Sequence, residues 1–296
     1  MTFRAGFACF VGRPNAGKST LTNALVGSKV AITSSKPQTT RHTIRGIVHR
    51  EDAQLILVDT PGLHKPRTLL GERLNDLVRS TWSEVDVIAL CIPADEPVGR
   101  GDKFIADELA GLKKRTVLAV VTKTDLVDKK TLATQLLAVS KLGEFDEIIP
   151  VSAKAGDQVD LLADLLTKYL PESPPLYPDG ELTDEPEQIM IAELVREAAL
   201  EGVRDELPHS LAVLVEEMEP REGRDDLIDV HVTIFVERPS QKAIVVGAGG
   251  DRIKYVGTTA RQQIEALLGS RIFLDLRVKV AKDWQRDPRQ LRRLGF

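Results

Sequence analysis

Gly12-Arg13-Pro14-Asn15-Ala16-Gly17-Lys18-Ser19 is the stretch on which the reading of this chain turns. Before it stands the apolar run Phe7-Ala8-Cys9-Phe10-Val11, which reads as a buried strand. After it comes Thr20–Val26, where Leu21, Ala24 and Leu25 fall on one helical face. A strand, a glycine-rich turn and a helix in this order form a phosphate-binding loop. The glycines let the backbone close around an anion with successive N–H groups turned inward, and the helix adds its positive N-terminal end. Gly12, Asn15, Ala16, Gly17, Lys18, Ser19 and Thr20 are therefore candidate phosphate contacts. Lys18 would reach the terminal phosphates, and the Ser19 hydroxyl would ligate Mg²⁺.

The bulk composition narrows the field. A chain of 296 residues with a net charge of −4 has room for one or two domains with full cores. No apolar run is long enough to span a bilayer, and the basic-then-apolar start of a signal peptide is missing. Cys9 and Cys91 sit inside apolar strand-like runs and read as small buried hydrophobes, with no metal or disulfide spacing. The histidines form no HExxH pattern, and a reducing, cytoplasmic compartment is the expectation. Charge is uneven along the chain. Residues 239–296 hold 12 Lys/Arg against 5 Asp/Glu, so the rest is acidic. A basic C-terminal segment suits a polyanion partner, although a solvated basic face would have the same composition.

Further motifs follow at strand ends. Residues 28–41 are polar, aperiodic and long for a connection, which marks a functional loop. Ile44–Val48 and Gln54–Val58 read as two strands joined by a tight turn, hence antiparallel. The second delivers Asp59-Thr60-Pro61-Gly62, with Asp59 placed to hold a metal through water and the Gly62 N–H free to meet the last phosphate. Later strands at 85–92, 116–121 and 147–151 alternate with helical segments, which predicts βα units and a mostly parallel sheet. Two of them end in Thr122-Lys123-Thr124-Asp125 and Ser152-Ala153-Lys154. Such sheets bind ligands at the carboxyl ends of their strands.

These motifs, in this order and spacing, resemble a small GTPase domain. The resemblance implies that Asp125 pairs with the two donors of guanine, that the Lys123 stem packs over the purine, and that the Ala153 N–H meets the guanine oxygen. Ser152 and Lys154 complete that loop. The family usually has Asn where this chain has Thr122. Thr can supply one hydroxyl but not both of the contacts Asn makes, to the base and to the phosphate loop. Leu63 stands where many GTPases place the Gln that orients water. The resemblance narrows to families with an apolar residue there and Asn in the phosphate loop, in which K⁺ held by that Asn supplies charge; Asn15 matches. Lys18, Thr40, Gly62 and Asn15 are thus the candidate catalytic set, and Ser19, Thr40 and Asp59 the candidate Mg²⁺ ligands, with Thr39 as the fallback for Thr40.

A Pro-rich stretch, 171–180, reads as a semi-extended linker and domain boundary. The expected division is 1–172 for the GTPase domain, 173–184 for the linker and 185–296 for a second domain. That domain should run α, β, β, α, α, β, beginning with a helix capped by Thr183 or Asp184. Gly247-Ala248-Gly249-Gly250 lies between its two middle helices. GxxG in this element order resembles a KH RNA-binding domain of prokaryotic topology. Gly247 and Gly250 would admit a nucleic-acid backbone, Ile244 and Ile253 would floor the base site, and Lys242, Arg252 and Lys254 would hold phosphates. A Lys common within the GxxG pair is absent here.

The expected fold is therefore α/β. It comprises a P-loop GTPase domain, with a mostly parallel six-stranded sheet between helices, and a smaller α+β KH domain. The pairing, together with Lys36-Pro37-Gln38-Thr39-Thr40-Arg41, resembles the Era family of ribosome-assembly GTPases over nearly the whole chain. The resemblance implies a monomer that hydrolyses GTP to GDP with Mg²⁺, binds the 3′ end of 16S rRNA on the immature small ribosomal subunit, and contacts the inner membrane peripherally. Two alternatives belong to other classes: an ATP-using P-loop enzyme, which Asp125 and Lys154 oppose, and an RNA-binding regulatory module with a vestigial nucleotide site, which Lys18, Ser19 and Asp59 oppose.

Overall fold

A computed structural model describes residues 2–34, 36, 39–112, 115–203 and 207–296. They divide into two compact units. Unit 1 is Met1–Thr33, Thr40–Pro66 and Gly71–Asp184; unit 2 is Ser34–Thr39, Arg67–Leu70 and Glu185–Phe296.

Unit 1 follows the alternation of its sequence. Its elements are β1 (Arg4–Val11), α1 (Lys18–Val26), β2 (Ile44–His49), β3 (Ala53–Asp59), α2 (Leu69–Glu84), β4 (Val87–Pro93), α3 (Arg100–Ala110), β5 (Thr116–Thr122), α4 (Lys129–Val139), β6 (Glu147–Pro150) and α5 (Val159–Lys168). The six strands lie in the order β2-β3-β1-β4-β5-β6. β2 runs antiparallel to β3, with Ile47 opposite Ile56, and the other neighbouring strands are parallel. Every residue of β3 and β4 is buried, as expected for strands covered on both faces. Alternation within β1 feeds two cores: Ala8 and Phe10 join Leu57, Leu118 and Leu166 on one face, while Cys9 and Val11 join Val78, Ile88 and Leu109 on the other. Because β1, β3, β5 and β6 point the same way, the loops that follow them share one sheet edge.

The Pro-rich stretch is bonded into unit 1. Buried Gln54 on β3 accepts the N–H groups of Leu176 (2.7 Å) and Tyr177 (2.9 Å) and donates to the Tyr177 carbonyl (2.9 Å). On the edge strand β2, Ile47 N–H donates to Leu182 O at 2.9 Å, and the His49 ring lies 2.7 Å from Glu181 O. The segment thereby covers an exposed strand edge, a common way of blocking unwanted pairing.

Unit 2 contains α6 (Glu187–Leu200), α7 (Leu207–Ser210), β7 (Ala212–Arg221), β8 (Arg224–Val236), α8 (Pro239–Val246), α9 (Asp251–Leu268), β9 (Arg271–Val280) and α10 (Pro288–Arg293). The expected order is present, with the short helices α7 and α10 added. β8 lies between β7, antiparallel, and β9, parallel. The hairpin turn is the pair Glu222-Gly223, with Gly223 at φ +75°, a conformation that favours glycine. α6 starts two residues later than an Asp184 cap requires and three later than a Thr183 cap: Pro186 occupies the N-cap, and Asp184 instead accepts the Tyr177 hydroxyl at 2.7 Å and an Arg45 N–H at 2.9 Å. Trp284, fully buried, donates its indole N–H to Ser210 O at 3.0 Å and stacks on Phe296. Also within this unit, buried Arg196 pairs with Glu193 and donates to the Thr39 carbonyl.

Candidate nucleotide site and candidate nucleic-acid groove

The phosphate loop takes its shape where side chains would not fit. A Cβ on Gly12 would lie 2.6 Å from Cys91 O, and Gly17 has φ +89°. Asn15 also adopts a left-handed φ, +63°, which Asn tolerates better than most residues. Lys18 is buried, and its ammonium donates to Gly12 O (3.3 Å) and Arg13 O (3.1 Å). Burial lowers its pKa, with the charge of Asp59 acting in the opposite sense.

Ser19, Thr40 and Asp59 converge. The Ser19 hydroxyl donates to Asp59 Oδ2 at 2.6 Å and lies 2.9 Å from the Thr40 hydroxyl, which is 3.2 Å from the same carboxylate oxygen. Asp59 is fully buried, and its Oδ1 has no hydrogen-bond partner. Burial raises its pKa against the hydrogen bonds of Ser19 and the charge of Lys18. Two hydroxyls and a carboxylate with a spare buried oxygen form the hard oxygen donor set that suits Mg²⁺. Thr39 takes a different course, its hydroxyl donating to Lys36 O at 2.6 Å. Of the distinctive stretch 36–41, Pro37 and Gln38 lie outside the described residues.

Gly62 is pressed against the phosphate loop: a Cβ there would come 2.7 Å from the backbone N of Pro14. Leu63 N–H donates to Gly12 O at 3.3 Å, while its side chain is buried in the core. No water-orienting group stands at that position. The His64 ring lies 3.0 Å from Gly62 O.

At the base end, the Thr122 hydroxyl donates to Ala16 O at 2.7 Å. Thr thus keeps the brace on the phosphate loop. Lys123, at φ +57°, pairs with Asp95 at 3.3 Å. Exposed Asp125 accepts the Ser152 hydroxyl at 2.6 Å, which in turn accepts the Ala155 N–H at 3.0 Å. The two base motifs are therefore joined directly. Ala153 packs on the core beside this loop, and Lys154 is exposed. Thr20 lies in the first turn of α1.

In unit 2 the GxxG turn is tight. Gly247, Gly249 and Gly250 all have positive φ, and a Cβ on Gly247 would lie 2.6 Å from Arg252 Cβ. Lys242 and Ile244 are exposed on α8. Arg252 has a local partner: its guanidinium donates to Ala199 O (3.1 Å) and Glu201 O (2.6 Å), closing the C-terminal end of α6. A groove of about 380 Å³ runs between α9 and β9, lined by Ile253, Lys254, Gly257, Thr258, Arg261 and two leucines, 274 and 276. Sequence reasoning named Ile253 and Lys254 and missed the others. Their signal was present, since 254, 257, 258 and 261 share a helical face and 274 and 276 a strand face.

Two family models match the chain, a 50S ribosome-binding GTPase over residues 7–123 and a KH domain over 206–285. GTPase Era of Streptomyces coelicolor is 72% identical over 301 residues, covering 99% of this chain and 95% of the relative. The chain belongs to the GTPase Era family. Era of Mycobacterium sp. (strain JLS) is 68% identical over 99% of both chains. Among solved structures, Era in complex with MgGDPNP and nucleotides 1506–1542 of 16S ribosomal RNA superposes with a TM-score of 0.96 at 36% identity, covering 99% of both chains. An Aquifex aeolicus Era variant bound to GDP.AlF4- reaches 0.95 at the same identity and coverage. The Era family assignment thus spans both units. No helix among the described residues is long and apolar enough to cross a membrane.

Proposed function

We propose that this Era-family chain hydrolyses GTP to GDP and uses that cycle to govern its binding to the 3′ end of 16S rRNA on the immature small subunit. The reading rests on the convergence of Ser19, Thr40 and Asp59 beside Lys18. Ser19 and Thr40 would ligate Mg²⁺ directly and Asp59 through water; the ion would bridge and neutralise the terminal phosphates. Lys18 exchanges its two carbonyl contacts for phosphate oxygens, and the Gly62 N–H meets the transferred group. Asp125, held by Ser152, reads the guanine donors, which adenine lacks.

The docked segment at 171–184 supports a route for coupling. It is bonded to β2 and β3, the hairpin that joins Thr40 to Asp59, and it leads into unit 2. Hydrolysis frees the loops at Thr40 and Gly62, and the hairpin passes that change to the segment. While GTP holds those loops, the exposed groove beside α9 receives single-stranded RNA, with Lys254 and Arg261 at its phosphates and the apolar floor under its bases, and hydrolysis loosens that complex. The place of action is the cytoplasm, with peripheral contact at the inner membrane.

Phosphate release with GTP and Mg²⁺, measured with and without a 16S 3′-end oligonucleotide, tests the reading. Specific tightening of the RNA complex by a GTP analogue is expected. Equal binding to a scrambled oligonucleotide in every nucleotide state would refute it. Buried Leu63 favours a second element, slow intrinsic turnover assisted by K⁺ at Asn15. Turnover in KCl should exceed that in NaCl by about tenfold, the size of one well-placed charge, and Asn15→Ala should abolish the difference.

A further inference from the structure

Arg13 stands in the phosphate loop but is bonded outside it. Its Nε donates to Asp102 Oδ1 at 2.8 Å, and an Nη lies 3.1 Å from Glu96. The stem passes so close to Gly101 that a Cβ there would sit 2.8 Å from Arg13 Cδ. Asp102 has a fully buried side chain, and its second oxygen accepts the Gly99 N–H at 2.8 Å. The neighbouring Asp95 holds Lys123 of the base motif, and Ala94 N–H donates to Thr122 O at 2.8 Å. Gln135 fixes the same segment through Pro93 O (2.9 Å) and Glu96 O (2.8 Å). Residues 94–102 therefore grip the phosphate loop at one end and the base loop at the other.

An ion pair with a buried partner adds little net stability compared with apolar packing, so its value here lies in geometry. We infer that Arg13 is a positioning residue for GTP hydrolysis: with Glu96 and Asp102 it holds the phosphate loop at a set distance from the guanine loop. The inference rests on the hydrolysis reading above. Arg13 acts through the loop backbone, whose Gly12 carbonyl also accepts Leu63 N–H, so a released loop misaligns the terminal phosphate against Gly62.

Single-turnover and steady-state GTPase assays on the full chain test this, with melting measured alongside. Arg13→Ala should lower kcat about tenfold, because displacement of a reacting group by an ångström or less is costly. KM should change less than threefold, and the melting midpoint should fall because Asp102 stays buried without its cation, so rates are compared per folded protein at a temperature where both chains are folded. Arg13→Lys, which keeps one bond to the carboxylates, should recover at least about a third of the rate. A kcat for Arg13→Ala within twofold of wild type would overturn the inference. So would a rate loss matched by loss of folded protein that Lys does not rescue. A wild-type chain without turnover would refute the hydrolysis reading and this inference together, whereas an active wild type beside an equally active Arg13→Ala refutes this inference alone.

Discussion

The nucleotide edge of unit 1 and the groove of unit 2 both carry polar side chains, but they are built in opposite ways. At the edge, Lys18, Asp59, Thr122 and Ser152 are buried, and each already has hydrogen-bond partners within unit 1. In the groove, Lys254, Thr258 and Arg261 are exposed on α9. A buried network loses steeply when one member goes, because the remaining partners are left unmatched. Exposed charges contribute modestly and singly and are screened by salt. The first arrangement suits a ligand of one geometry, and the second a flexible polyanion held by several weak contacts.

Lys18→Ala gives the largest contrast. It removes the buried ammonium that the proposed function brings to the terminal phosphates, and GTP turnover should fall by about 10²–10³-fold. Melting should fall, because Asp59 stays buried without its cation and the Gly12 and Arg13 carbonyls lose their donor. RNA affinity of the nucleotide-free protein should stay within twofold. A parallel collapse of RNA binding would mean that the two sites are not separately built.

Gly257→Leu is the matching test on the other side, with a smaller effect. Gly257 lines the groove, and a Cβ there would meet Leu276 at 3.5 Å, an ordinary contact. A Leu at this mid-helix position should fill the groove without straining α9, and it replaces the residue least favourable to a helix interior after proline. RNA affinity should drop about tenfold, the loss of one stacked base or its equivalent. Basal GTP turnover should be unaffected. Retained RNA binding by gel shift would move the interface away from α9 and β9.

How much of this could be read in advance depended on how local the physics was. The strand, turn and helix around Gly12–Ser19 were legible because hydrophobic period and glycine placement are properties of neighbouring residues. The meeting of Ser19, Asp59 and Asp125 at one edge was legible too, because parallel strands bring their carboxyl ends together. Contacts made by single side chains across long separations were not. Gln54 breaks the apolar run of β3, and that anomaly was the only trace of a docked Pro-rich segment. Arg252 follows GxxG, and its bonds to the carbonyls ending α6 could not be read from that placement. Arg13 had no signal, since Asp102 lies 89 positions away. α10 is short, and its neighbourhood is held by Trp284 and Phe296, whose pairing no periodicity announces.

Thr122→Asn sharpens the comparison with the smallest change. Thr122 braces the phosphate loop through Ala16 O, so the loop keeps its support. The base contact that Asn makes in related GTPases has no counterpart in a hydroxyl already committed to that carbonyl. Asn carries both an amide donor and a carbonyl acceptor, enough for both tasks. The position is buried, but it lies at the end of β5 beside Gly17, where even an added Cβ would stand 3.5 Å from the Thr122 hydroxyl. Guanine selectivity should not move, because the proposed function assigns it to Asp125. GDP release, followed with a fluorescent analogue, should slow about threefold, a fraction of the free energy of one net hydrogen bond. Faster release would mean that the brace depends on the β-branched shape of Thr and that Asn disturbs the loop it was expected to support.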